Sequence, residues 1–215
     1  MKRFAIAATV IGLAAGASTA HAQEASSTMV NRTRGFMLNG HLQISPPLTV
    51  KGGDFEDPQL KTKLGFGGGI QVGYGITSLI MPYINLDVSK QDSDVDGLEG
   101  DFGVSHVELG ARFNFQQGGA VVPYANVGVG ARGLGADVDV GEGMQELRLT
   151  GGHVVVGGGV QYFFKRKLAF DAGVQVGFGK FDKLEFDGDE VDVEGSDNVV
   201  SSRIKLGLSW FPQAR

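Results

Sequence analysis

The chain has 215 residues, of which 35 are Gly and none is Cys, and its formal net charge is −5. This length is compatible with a single all-β domain. The absence of Cys excludes disulfides, thiolate metal ligands and a cysteine nucleophile, and the acidic balance argues against nucleic-acid binding, which requires basic patches that face phosphates.

The N-terminus carries the three parts of a secretory signal peptide in order. Lys2 and Arg3 form the positive region, residues 4–17 form an apolar run, and residues 20–22 (Ala-His-Ala) form a small-x-small cleavage site. The apolar run is too short to span a bilayer as a helix. We therefore predict a cleaved signal peptide over residues 1–22. Its removal takes away two of the 19 basic residues, so the mature charge is 17 − 24 = −7.

From about residue 35 onward, apolar and polar residues alternate with a period of two, which is typical of β-strands. In the first segment Phe36, Leu38 and Leu42 share one face, whereas Asn39 and His41 share the other. The segment is longer than an average globular strand and has the length that a tilted membrane-spanning strand needs. Eight such segments begin near residues 34, 64, 80, 106, 123, 153, 168 and 203.

The connections between these segments alternate in length. Long polar connections are predicted at residues 46–62, 91–102, 135–148 and 180–198, and short turns at residues 77–78, 117–119 and 165–167. Long loops on one rim and tight turns on the other are typical of outer-membrane barrels. We therefore predict an all-β fold, an eight-stranded antiparallel up-and-down transmembrane β-barrel with long extracellular loops, short periplasmic turns and both termini on the periplasmic side.

Aromatic residues on the apolar face indicate which face meets lipid. They gather near the rim of the short turns, as an aromatic girdle at a membrane interface would. The residues are Phe36, Tyr74, Phe113, Phe115, Tyr162, Phe164 and Trp210. The alternative is a soluble secreted barrel whose apolar face points inward and binds a small apolar ligand.

The polar face carries charged residues in the middle of the strands: Asp87, Glu108, Arg112, Arg132, Asp171, Arg203 and Lys205. Buried charges are costly unless they are paired, so we interpret this set as ion pairs that fill the lumen and make it rigid. The alternative is a narrow polar conduction path.

Other candidate chemistry is weaker. Ser105, His106 and Glu108 suggest a lipid-modifying hydrolase, but on a strand Ser105 points away from the other two. A metal site would need three or four convergent ligands. His41, His106 and His153 lie on the polar face, but the sequence does not reveal the strand register that would decide whether they converge. We predict no catalytic residues, no metal and no cofactor. Residues 180–198 are acidic and are interpreted as a solvated loop, with divalent-cation binding left open.

The end of the chain resembles a terminal β-signal of the kind read by the barrel-assembly machinery. Lys205, Gly207 and Trp210 match the order polar, x, Gly, x, x, aromatic, and a second aromatic, Phe211, follows. With the strand order, these residues make the chain similar to the small OmpA/OmpX-type outer-membrane β-barrel domains over about residues 33–211.

This resemblance implies a non-enzymatic protein of the cell outer membrane with a structural, surface-interaction or narrow-pore role. It also implies contact with lipid and lipopolysaccharide, and insertion by the barrel-assembly machinery. The sequence identifies no extracellular ligand. The predicted organisation is a signal peptide (1–22), a short periplasmic segment (23–32), the barrel (33–211) and a tail (212–215).

Overall fold

A computed structural model describes residues 32–47, 49–50, 60–61, 63–92, 101–116, 119–139, 144–186, 189–192 and 199–214. The predicted signal peptide and all but the last residue of the predicted periplasmic segment lie outside the described residues. No helix in the described part of the chain is long and apolar enough to cross a membrane.

The described residues form twelve strands in one sheet. In chain order these are β1 (Gly35–Ser45), β2 (Thr49–Val50), β3 (Leu60–Lys61), β4 (Gly65–Gly75), β5 (Ile80–Asp92), β6 (Asp101–Asn114), β7 (Val121–Asp139), β8 (Met144–Lys165), β9 (Leu168–Gly179), β10 (Lys183–Phe186), β11 (Asp189–Asp192) and β12 (Val199–Trp210).

Eight of these strands close into a barrel, as the sequence predicts. Strand β1 pairs with β4, and each of β4 to β8 pairs with the next strand along the chain. Strand β12 pairs with both β9 and β1, which closes the ring. Every pairing is antiparallel, and the closed ring leaves no barrel strand as a free edge, as a membrane-spanning sheet requires.

The predicted boundaries of the long loops are wrong in several places. The connection predicted at residues 135–148 is largely strand, because β7 and β8 continue until Asp139 pairs with Met144. Strands β10 and β11 lie within the predicted fourth loop, where β10 extends the sheet along β8. Strands β2 and β3 lie within the first loop and join β12. Sequence patterning misses these extensions because hydrogen bonding between backbones does not require an apolar face.

The apolar face of the barrel points outward. Large exposed apolar side chains occur on all eight barrel strands, for example Leu42, Ile70, Leu86, Leu109, Val129, Val156, Phe170 and Leu206. A soluble barrel would place this face inside, and a continuous apolar surface of this kind is not tolerated by a monomeric soluble protein. The outer surface therefore meets lipid, which disfavours the alternative of a soluble ligand-binding barrel.

The interior contains two apolar clusters that the sequence does not predict. The periplasmic cluster consists of Met37, Met81, Val122, Phe163, Ala169, Phe211 and Ala214 and fills the end near the short turns. The extracellular cluster consists of Phe102, Val104, Leu134, Phe181 and Val199, with Leu149 packed against it. Buried polar and charged side chains fill the lumen between the two clusters.

Candidate functional site

The middle of the lumen contains a charged network centred on Asp87 of β5. Its carboxylate accepts hydrogen bonds from Arg203 Nη1 at 2.6 Å, from Lys205 Nζ at 2.6 Å and from Asn85 Nδ2 at 2.8 Å. His41 Nε2 lies 2.7 Å from the other carboxylate oxygen. The network thus joins strands β1, β5 and β12 across the lumen.

Glu108 of β6 extends this network to the opposite wall. Arg203 Nη2 donates a short hydrogen bond to Glu108 Oε1, so that one guanidinium bridges two carboxylates. His153 Nε2 lies 2.9 Å from the same oxygen, and Asn85 Nδ2 donates to Glu108 Oε2 at 3.1 Å. Arg203 and Glu108 are each only 1% exposed. Their charges are therefore balanced by each other rather than by water.

A second network surrounds Asp171 of β9, closer to the periplasmic cluster. Arg112 Nη1 donates to Asp171 at 3.0 Å, Tyr124 donates its hydroxyl hydrogen at 2.6 Å, and Gln161 Nε2 donates at 2.8 Å. The Arg112 guanidinium also lies 3.9 Å from the centroid of the Tyr124 ring and donates to Gln71 at 2.7 Å. Asp171 is thus held by groups from β6, β7 and β8.

The two networks are joined through Asn39 and Ser209. Asn39 Oδ1 lies 2.9 Å from His41 Nδ1 in the first network, and Asn39 Nδ2 donates to Ser209 Oγ at 2.9 Å. Ser209 Oγ in turn lies 3.3 Å from Asp171 Oδ2. A continuous chain of polar contacts therefore runs along the lumen from Glu108 to Asp171.

Of the seven predicted lumen charges, the structure brings six into ion pairs and leaves one apart. Arg132 forms no ion pair with any carboxylate of the described residues. It donates from Nη2 to the Val199 carbonyl oxygen at 3.1 Å, and its guanidinium lies 5.3 Å from the centroid of the Phe181 ring. It is nevertheless 2% exposed, so a positive charge is buried next to the extracellular cluster.

Tyr83 and Tyr124 face the lumen and occupy space that glycines leave free. A Cβ atom at Gly110 would lie 2.6 Å from the Tyr83 hydroxyl oxygen, and Cβ atoms at Gly159 and Gly173 would lie 2.6 and 2.5 Å from the Tyr124 hydroxyl oxygen. The glycines on the inner face could have indicated this arrangement, because a narrow barrel has room for a large side chain only where the facing residue has no side chain.

The space that remains in the lumen is small. One cavity beside Arg112 and Asp171 has a volume of about 20 Å³, and another beside His106 and Arg132 has a volume of about 10 Å³. Each of these spaces accommodates about one water molecule. Neither of these two cavities is a continuous path through the barrel.

The candidate hydrolase residues do not converge. Ser105 has the parity of the outward-facing residues of β6, whereas His106 and Glu108 point into the lumen. Neither ring nitrogen of His106 has a hydrogen-bond partner, and its ring packs edge-on against His153 with centroids 5.4 Å apart. Within the described ranges no three His, Asp or Glu side chains are arranged to hold a metal ion.

The seven predicted girdle aromatics lie on the outer surface, at the ends of strands near the short turns. Phe36 and Tyr74 are cross-strand neighbours, and the rings of Phe164 and Phe170 pack with centroids 4.6 Å apart. Phe66 and Phe178 are exposed at the opposite ends of β4 and β9. Neither residue belongs to the predicted girdle, although both lie beside predicted long loops in the sequence.

The residues of the predicted assembly signal point to both sides of β12. Trp210 faces outward and is 46% exposed, whereas Lys205 and Phe211 face inward. Gly207 has no side chain, and a Cβ atom there would lie 2.7 Å from the Cβ of His41. The Phe211 ring packs against Phe163 with centroids 5.2 Å apart.

The chain beyond Phe211 folds back beneath the barrel. Ala214 is buried in the periplasmic cluster, and Gln213 Oε1 accepts a hydrogen bond from the Phe36 backbone N–H at 2.8 Å. The residues predicted as a simple tail therefore help to fill and cover this end of the lumen.

Comparisons with known proteins agree with this architecture. Among solved structures, Neisserial surface protein A matches with a TM-score of 0.56 and 18% identity over 82% of this chain and 97% of that chain. OprG from Pseudomonas aeruginosa matches with a TM-score of 0.56 and 14% identity over 83% and 96%. Ail, the attachment invasion locus protein of Yersinia pestis, matches with a TM-score of 0.50 and 16% identity over 82% and 98%.

At these identities the three structures show the shared fold alone. No curated protein is similar enough in sequence to match the chain. The model of the outer membrane protein beta-barrel domain matches residues 8–210, nearly the whole chain. The chain therefore belongs to the outer membrane β-barrel domain family and is an integral protein of the outer membrane, in contact with its lipid.

Proposed function

We propose that this protein is a sealed, non-conducting and non-enzymatic barrel that anchors extracellular β-structure in the outer membrane. The observation that carries this proposal is the filling of the lumen in three layers: the periplasmic cluster, the charged networks and the extracellular cluster. A pore needs a continuous aqueous path, and eight strands leave an interior that side chains can fill.

The charged layer supports sealing because its members have partners. Arg203 bridges Asp87 and Glu108, and Arg112 pairs with Asp171, so an ion that entered would have to break contacts between buried charges. Removing one partner of such a pair leaves an uncompensated buried charge and costs about 3–5 kcal/mol. The lumen charges are thus better suited to holding the barrel rigid than to conducting ions.

The extracellular end supports an anchoring role. Strands β7 and β8 have 19 and 22 residues, more than the ten or so that span a membrane. The continuation of β8 pairs Leu147 with Phe186 and Thr150 with Lys183, so that β10 adds a strand to the sheet. A rigid barrel that carries such an extension presents it outside the cell at a fixed position.

The proposed partners follow from the same placement. We propose that the outer surface near the long loops contacts lipopolysaccharide and that the barrel-assembly machinery inserts the chain through Lys205, Gly207, Trp210 and Phe211. The proposed processing is cleavage after residue 22, which leaves residues 23–32 as a short periplasmic segment before the barrel.

Planar-bilayer recording tests the proposal. We expect the purified, folded wild-type protein to give no steady openings. The variants E108Q and R112Q should also be silent, because the apolar clusters at both ends remain. A shift in gel mobility between unboiled and boiled samples verifies that each protein is folded. Steady wild-type openings that change in E108Q or R112Q would overturn the proposal and favour a narrow channel.

A further inference from the structure

A set of buried polar groups lies between the charged networks and the extracellular cluster, and several of its polar atoms take no part in either. The cavity of about 10 Å³ at this level is lined by Gln91, His106, Arg132, Ser201 and Arg203, among others. This volume holds one particle about the size of a water molecule. The ion pairs described above do not account for what occupies it.

The buried charges of the described lumen are not balanced. The cations are Arg112, Arg132, Arg203 and Lys205, and the carboxylates are Asp87, Glu108 and Asp171, so the balance is 4 − 3 = +1 with neutral histidines. The excess charge is that of Arg132, which has no carboxylate partner among the described residues. Because an uncompensated charge in a low-dielectric interior is very costly, a counter-ion at this position is favoured.

Donor groups converge on the same cavity without partners. No hydrogen bond among the described residues is made by Arg132 Nε and Nη1, Arg203 Nε or Ser201 Oγ. The same holds for His106, whose neutral ring offers one N–H donor while its other nitrogen is an acceptor. The cavity lining also includes the Gln91 amide, which can present either its oxygen or its NH₂ group. Buried polar groups almost always have partners, so this concentration of unused donors around a positive charge indicates a bound acceptor.

We propose that the cavity binds a single monatomic anion of the halide class, with chloride as the ion present under ordinary conditions. A single ion needs less room than a carboxylate, sulfate or phosphate group, each of which has at least three heavy atoms. The anion compensates Arg132 and accepts hydrogen bonds from Arg132, Ser201 and a ring N–H of His106. It thereby forms part of the lumen packing beneath the extracellular cluster.

Bromide substitution tests this site directly. The protein is refolded and crystallised in sodium bromide, and anomalous differences are measured at the bromine absorption edge. We expect one anomalous peak in the lumen, within hydrogen-bond distance of the Arg132 guanidinium. The absence of an anomalous peak there, with ordinary water density in the cavity, would overturn the proposal.

Stability in solution gives a second test, because a ligand that binds only the folded state raises the unfolding temperature. The wild type should melt several degrees higher in sodium chloride than in sodium gluconate of equal ionic strength. R132Q should lose this difference, and R112Q, which alters a buried lumen arginine at the other network, should keep it. If R132Q does not fold, S201A removes one donor and should reduce the difference. An equal melting temperature of the wild type in both salts would contradict the proposal.

Discussion

At the residue scale, the charged groups of the two lumen networks are stabilised because most of them have several hydrogen-bond partners. Asp87 accepts from three donors and faces His41, and Arg203 divides its two terminal nitrogens between Asp87 and Glu108. Such networks are more than the sum of their pairs, because each member satisfies hydrogen bonds that its neighbours would otherwise lack. Removal of one carboxylate should therefore deprive several donors of a hydrogen-bond partner.

We predict that D87N lowers the free energy of unfolding by about 3–5 kcal/mol, because Lys205 loses its carboxylate and Arg203 keeps only Glu108. The measurement is urea unfolding of the barrel refolded into lipid vesicles. The matched control is D182N, an exposed carboxylate outside the barrel strands, which should change stability by less than about 0.5 kcal/mol. Equal effects of the two substitutions would contradict the assigned role of Asp87.

Two glycine substitutions separate lumen packing from the lipid-facing surface. G159A should destabilise the barrel by about 1–3 kcal/mol, because the added Cβ would clash with the Ala172 carbonyl oxygen and lie 2.6 Å from the Tyr124 hydroxyl oxygen. G40A places a Cβ on the outer face with no atom within 4 Å, so its effect should be close to zero. The same urea titration compares them. A harmless G159A would show that the Tyr124 side chain does not need this space.

At the element scale, the two neighbouring aromatic residues at the end of β12, Trp210 and Phe211, lie in different surroundings. Trp210 lies on the outer face with the girdle aromatics, and Phe211 fills the periplasmic cluster beside Phe163. Removal of a buried aromatic leaves a cavity, whereas removal of an exposed one does not. The two neighbouring aromatic residues therefore allow assembly and stability to be tested separately.

We predict that F211A lowers the free energy of unfolding by about 3–5 kcal/mol, as truncation of a buried Phe does in other cores. W210A should instead reduce the fraction of newly made protein that reaches the folded, heat-modifiable form in cells. Both variants are compared by urea unfolding after refolding in vitro and by unboiled gels of cell envelopes. If W210A assembles like the wild type, Trp210 is not part of an assembly signal.

The outer face gives a second prediction at this scale. L109R should destabilise the inserted barrel by about 2–4 kcal/mol, because Leu109 lies on the lipid-facing side near the middle of β6. L79R introduces the same side chain at the exposed periplasmic turn, where the cost should be about 0–1 kcal/mol. Unfolding from lipid vesicles measures both, and equal costs would mean that Leu109 does not face the hydrocarbon core.

The sequence predicts a strand when one face of that strand is apolar and the other is polar. The barrel strands were predictable because Leu206 and Lys205, for example, must lie in lipid and in the lumen respectively. The extension of β7 and β8 to Asp139 and Met144 was not, since pairing between backbones does not require apolar and polar residues to alternate. The pairing of charges in the lumen depends on register, which brings Asp87 to Arg203 across 116 positions of sequence.

At the scale of the whole molecule, the barrel reverses the distribution of apolar and polar side chains that is usual in soluble proteins. Apolar side chains cover the outside, polar side chains fill the middle, and apolar clusters close both ends of the lumen. The alternation of the strands predicts the first two features. The clusters could not be foreseen, because Phe163, Phe181 and Phe211 come from strand ends and connections whose inward direction only the closed barrel defines.

The central claim is that the lumen is closed to water-borne solutes, and cysteine labelling tests it most directly because the chain has no Cys of its own. Val155 is fully buried in the lumen, and Asp182 is exposed beyond the end of β9. We predict that a water-soluble maleimide labels D182C in the folded barrel but labels V155C only after the sample is boiled in detergent. Rapid labelling of V155C in the folded, unboiled barrel would contradict the account.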